Sequence, residues 1–98
     1  MVTKVIWNKA ASRTFDDITT YMVDNITLQS AQNFAVSVYE KIDYIIKYPF
    51  VGRKVRGTKS LKMLNIGKHH HIYFRVHGNT LFISDFFDTR QNPNKRPY

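Results

Sequence analysis

Between His71 and His77 the chain alternates without a break: Ile72, Phe74 and Val76 are apolar, and His71, Tyr73, Arg75 and His77 around them are polar or basic. Successive side chains of a β-strand point to opposite faces, so this pattern specifies a strand with one oily and one polar, basic face. Gly78-Asn79 follows, two residue types that accept positive φ in a tight turn, and Thr80 to Phe87 returns as a second apolar strand. The pattern predicts a β-hairpin. Together with the stretch from Leu61 onward, the run to Pro93 reads as three successive strands. An oily sheet face must be covered, and the chain before residue 50 has to supply the cover.

That earlier part reads as one strand and two helices. Lys4 to Trp7 is a short apolar strand ended by Asn8, a good helix N-cap. Ala11, Phe15, Ile18 and Met22 then recur at helical spacing, predicting a helix to about Asp24. Asn25-Ile26 interrupts it, Thr27 caps a second helix, and Ala31, Phe34, Ala35, Val38, Ile42, Ile45 and Ile46 keep the period until Tyr48 meets Pro49. Two amphipathic helices with so short a link fold back as an antiparallel pair, and their apolar residues read as core. Pro49 to Ser60, with a proline, two glycines and four basic residues, reads as an irregular crossing from helix to sheet. The fold class expected is α+β, with the order β-α-α-β-β-β and a helix hairpin on one face of a small antiparallel sheet.

At 98 residues the chain reads as a single domain over residues 1–98, large enough for a modest core. It has no cysteine, which excludes disulfides and thiolate metal sites, and no apolar run near the length of a membrane span or a secretory signal. A cytoplasmic protein without membrane attachment is expected. The formal charge of +8 is unevenly placed: residues 1–49 carry five basic and five acidic side chains, residues 50–98 ten basic and two acidic. A basic sheet half favours a polyanion or an acidic protein as partner, because clustered Lys and Arg gain Coulomb energy and release counterions on phosphates. The plain alternative is a solvated face that keeps the protein in solution. Arg53, Lys54, Arg56, Lys59 and Lys62 form the densest basic stretch, a loop able to hold a phosphate backbone. His69 and His71, read as two apart on one strand, project the same way; with no third ligand at a suitable spacing no metal site is expected. No cofactor is expected either.

Phe15, Ile18 and Tyr21; Asn25; Ala31 and Phe34; Ile42 and Ile45; Pro49 with Gly52-Arg53; Met63 to Gly67; His71 to Val76; and the late Arg90 with Pro93 make a series along nearly the whole chain. With it the sequence resembles the RelE/ParE family of bacterial type II toxins. The resemblance implies a small growth-inhibiting toxin of a toxin-antitoxin (plasmid stabilisation) system, neutralised by a cognate antitoxin that wraps it. Family members of the ParE kind are understood to poison DNA gyrase, and those of the RelE kind to cut messenger RNA on the ribosome without a metal. The Arg-x-x-Pro ending looks closer to ParE-like members, which makes gyrase inhibition the first expectation.

The nuclease alternative needs a base for the 2′-hydroxyl, an acid for the departing 5′-oxygen and positive charge at the phosphate. The resemblance implies Lys62 and Arg75 on the phosphate, His71 as acid or base and Arg90 stabilising the transition state. Leu64 stands where the RelE-like pattern has a second lysine and His71 where it has an arginine, and only Tyr98 is left to match its late tyrosine. Arg53, Lys54, Arg56, Tyr73, Arg75 and Arg90 are the candidates for binding target or antitoxin. Duller readings are an ion pair of Arg75 with Asp85 or Asp88, and a local turn at Arg90. A third class, a plain nucleic-acid-binding module, rests on Tyr73, Phe82, Phe86 and Phe87 as base-stacking rings beside the basic residues.

Overall fold

In the computed structural model, which describes residues 1–90, the elements are β1 (Lys4–Trp7), α1 (Lys9–Asn25), α2 (Leu28–Lys47), β2 (Arg53–Lys54), β3 (Lys62–Ile66), β4 (His70–His77) and β5 (Thr80–Asp88). Pro93 and Tyr98 lie outside the described residues. The strands join in the order β1-β5-β4-β3-β2. The expected helix hairpin on one face of a sheet is present, with two differences in the sheet. β1 runs parallel to β5, which makes the sheet mixed, and the crossing after α2 contributes the two-residue strand β2.

The tip of the β4–β5 hairpin explains where β1 attaches. His77 pairs with Thr80 across the two-residue turn. Gly78 takes φ +60, while Asn79 does not enter positive φ, so the turn uses one left-handed residue where the sequence allowed two. The Asn79 carbonyl is then free to accept from the N–H groups of Thr3 and Lys4, at 2.8 and 3.2 Å, which starts the parallel ladder.

The helices meet at Ile26-Thr27. Thr27 accepts a hydrogen bond from the Ser30 N–H through its hydroxyl at 3.0 Å, satisfying one of the four N–H groups that a helix start leaves open. Asn8 occupies the capping position of α1 without a side-chain cap bond; its Nδ2 donates to the Ser84 carbonyl at 3.3 Å instead. The predicted stripes face the sheet. Ala11, Ile18 and Met22 of α1 and Ala31, Phe34, Val38, Ile42 and Ile45 of α2 are buried against Ile72, Phe74, Leu81, Ile83 and Phe86. Each of the larger side chains gains about 1.5–3 kcal/mol by leaving water.

β5 alternates only in part, because the pairing register with β4 shifts between Tyr73 and Phe74: Tyr73 faces Asp85 and Phe74 faces Ile83, which leaves Ser84 over as a bulge residue. The extra residue reverses the parity beyond it. Leu81 and Ile83 point to the helices before the bulge and Phe86 after it, and Phe87 is turned to the other face. Gly52 lets the crossing segment pass close over this core. It has φ +103, and a Cβ there would stand 2.9 Å from Cζ of Phe74 and 3.2 Å from Cβ of Lys62.

Candidate binding surface

Residues directly opposite across an antiparallel pair share a face, so the register decides which candidate side chains stand together. On the face away from the helices are Arg53, Met63, Asn65, His71, Tyr73, Arg75, His77, Phe82, Asp85 and Phe87. Lys62 pairs with Phe74 and Lys54 with Lys62, which puts both lysines on the helix side of the sheet. The Lys62 amine donates to the Phe50 carbonyl at 3.3 Å. Of the set that the resemblance implies for a nuclease, His71 and Arg75 therefore share a face and Lys62 does not join them.

Nor is the far face bare. The loop between β2 and β3 folds over part of it, and Leu61, with Val55 and Met63 beside it, buries Tyr73 and Phe87 in a second, smaller apolar cluster. Tyr73, read as a contact residue for a partner, is 3% exposed. His71 lies half-buried between Tyr73 and Phe87, its ring 6.2 and 6.3 Å from theirs. Arg75 stays exposed and sits over the Phe82 ring, 5.0 Å from the centroid, in place of an ion pair with Asp85 or Asp88.

Arg90 is held elsewhere. Its Nε and Nη2 donate to the two carboxylate oxygens of Asp88 at 3.0 and 2.8 Å, and its N–H to Oδ1 at 2.9 Å. These bonds tie the arginine to the end of β5; Asn92 and Pro93, with which a local turn is the duller reading, lie outside the described residues. Asp88 also stands 3.5 Å from Nε2 of His70, too poorly aligned for a hydrogen bond. His70 is on the helix side, its ring 4.5 Å from that of Phe34. Burial holds the His70 imidazole below its ordinary pKa, more strongly than Asp88 draws it up. Burial alone would raise Asp88, but the hydrogen bonds from Arg90, with the charge on His70 adding to them, carry its carboxyl below the usual value; the bond to Asp88 raises Arg90.

His70 was missed at the sequence level although the signal was there: it shares parity with Ile72 and Phe74, one step before the run that was read as a strand. The strand begins at His70, and His69 belongs to the turn before it, so His69 and His71 do not stand on one strand. Among the described residues no group of three potential metal ligands comes together.

Basic residues gather where the crossing loop meets the sheet. A cleft of about 390 Å³ is bounded by Asn8, Lys59, Ser60, Arg75 and Ser84, and another of about 380 Å³ by Phe50, Lys54, Lys59, Ser60 and Lys62. Lys59 and Ser60 are shared by both, which makes the two clefts neighbours across one loop. Phe50 is 90% exposed at the second. No acidic residue occurs between Asp43 and Asp85, whereas eight basic ones do, so no carboxylate from this stretch offsets the charge.

The sequence profile of the ParE toxin of type II toxin-antitoxin systems, parDE, matches residues 5–93. The chain belongs to the ParE toxin family. No curated protein matches it in sequence. Among solved structures, this ParE-family toxin is similar in fold to the chromosomal ParDE toxin-antitoxin system of P. aeruginosa, at 18% identity and TM-score 0.74 over 89% of this chain and 96% of that one. It is also similar to a YoeB/ParE toxin of Agrobacterium tumefaciens (16%, 0.65, over 88% and 98%) and to the YoeB dimer of Staphylococcus aureus (15%, 0.64, over 89% and 97%). Toxins of type II systems pair with a cognate antitoxin, and no helix among the described residues of this one is long and apolar enough to cross a membrane.

Proposed function

We propose that this ParE-family toxin arrests growth by poisoning DNA gyrase in the cytoplasm, that it does so by binding rather than by cutting a substrate, and that its antitoxin neutralises it by covering the same basic surface. Arg53, Lys54, Arg56 and Arg75 are the residues assigned to that contact, with Lys59 and Lys62 lining the clefts beside them.

One observation carries the choice. Metal-free RNA cleavage needs base, acid and phosphate-holding cation around one bond, yet His71 and Arg75 lie on one face of the sheet and Lys62 on the other. Arg90, meanwhile, is spent on Asp88. A surface that only binds has no such requirement, and dispersed cations beside an exposed aromatic ring suit contact with a large acidic partner.

Two assays on one preparation test the reading. Purified gyrase should lose supercoiling activity and accumulate cleaved DNA in the presence of the toxin, while messenger on programmed ribosomes should stay whole. Cut messenger with untouched gyrase would overturn the proposal in favour of the ribosome-dependent nuclease.

A further inference from the structure

We propose that the cleft between Trp7, Phe15 and Tyr39 is a docking site for an arginine side chain of a protein partner, with Asp16 as its counter-charge. Trp7 ends β1, Phe15 belongs to α1 and Tyr39 to α2, so three elements bring the rings together. The rings are mutually inclined: Trp7 and Phe15 at 88° and 5.5 Å between centroids, Phe15 and Tyr39 at 70° and 6.4 Å, Trp7 and Tyr39 at 42° and 6.1 Å. They leave an open cleft of about 370 Å³ with Ser12 and Asp16 at its edge.

Two features point to a cation with a flat body. Aromatic faces carry negative quadrupole charge, and Tyr39 keeps 56% of its surface open although its neighbours are packed. Asp16 supplies a full negative charge. Among the described residues the ion pairs are His70 with Asp88 and Arg90 with Asp88, so Asp16 has no cation of its own, not even Arg13 one turn earlier. Arginine fits this combination better than lysine, because its planar guanidinium stacks on a ring while forking to a carboxylate, and it is less tightly hydrated. The cleft is on the helix side beside an edge strand, apart from the basic surface, and does not depend on what that surface binds.

Trp7 is the sole tryptophan of the sequence, so fluorescence reports the cleft directly. The whole protein is titrated with N-acetyl-arginine-N-methylamide and, separately, with the citrulline counterpart, which keeps the shape and loses the charge. The arginine probe should change Trp7 emission saturably and bind about two- to five-fold more tightly than citrulline. Asp16→Asn and Tyr39→Leu should each weaken it by a similar factor at an unchanged melting temperature, and Tyr39→Phe should retain it. Equal binding of the two probes, no saturable change, or wild-type affinity in both Asp16→Asn and Tyr39→Leu would overturn the proposal.

Discussion

His70 shows how much one residue's side of a strand decides. Pointing inward, it packs its ring at a tilt against that of Phe34 and stands beside the Asp88 carboxylate that Arg90 binds. A neutral ring is what burial favours, so the folded protein protonates it at lower pH than the unfolded chain, whose value is near 6.5. As pH falls, the unfolded state takes up the proton first, and stability declines through the window just below 6.5 until the folded imidazole titrates too. Asp88 acts at lower pH in the same direction: its contribution is complete above about 3.8 and is lost as pH falls through its depressed folded value. Urea midpoints measured from pH 7.5 to 5.5 should therefore decrease for the wild type and stay level for His70→Gln, while the steeper loss at acid pH persists in both. A His70→Gln protein that keeps the decline above pH 5.5 would place the acid sensitivity in another group.

At the level of the elements, local signals decided what was legible. The two stripes of α1 and α2, the break before the cap Thr27 and the hairpin at Gly78 are written in spacing of three or four, spacing of two and turn chemistry, all of which act between near neighbours. The bulge at Ser84 is not, since it depends on how two strands register against each other, and for that reason which of the neighbours Phe86 and Phe87 faces the helices could not be read from the alternation. The three-residue turn over residues 67–69 sets the β3–β4 register that sends Lys62 to the side of Phe74, in keeping with its step of two from Leu64 and Ile66. Burial of Tyr73 under Leu61 arises from a loop closing over the sheet, which no period announces. The two helix starts show the same division. Both have a capping residue type, but only Thr27 caps, because Asn8 is drawn to the carbonyl of the bulge. Thr27→Ala should cost about 1 kcal/mol, read as a lower urea midpoint at constant slope. Asn8→Ala should act on the β1–β5 junction instead, with faster amide exchange at Asn8, whose N–H donates to the Ile83 carbonyl at 3.0 Å. Equal exchange there in the variant and the wild type would show that the Asn8 side chain does not brace the bulge.

Across the whole molecule, the helices carry balanced charge and the sheet half carries the excess, so a field of one sign surrounds the loop and clefts that Arg53, Lys54, Arg56, Lys59 and Arg75 border. Such a field acts at long range on the rate of encounter, and it is screened over about 8–10 Å at ordinary ionic strength. The fold does not depend on it: Arg53, Lys54, Arg56 and Lys59 are exposed and outside both apolar clusters, so exchanging all four for glutamine should leave stability within about 0.5 kcal/mol per site. It removes four charges from a formal net of +8. If this surface is where the toxin meets an acidic partner, association should slow by about tenfold or more at low salt while dissociation changes less, because steering acts before contact and short-range packing after it. The same variant should lose most of the salt dependence seen in the wild type, and growth arrest should weaken in parallel with the association rate. Unchanged rates and an unchanged salt slope would mean that these charges only keep the protein in solution, and recognition would then have to be sought away from the loop between β2 and β3.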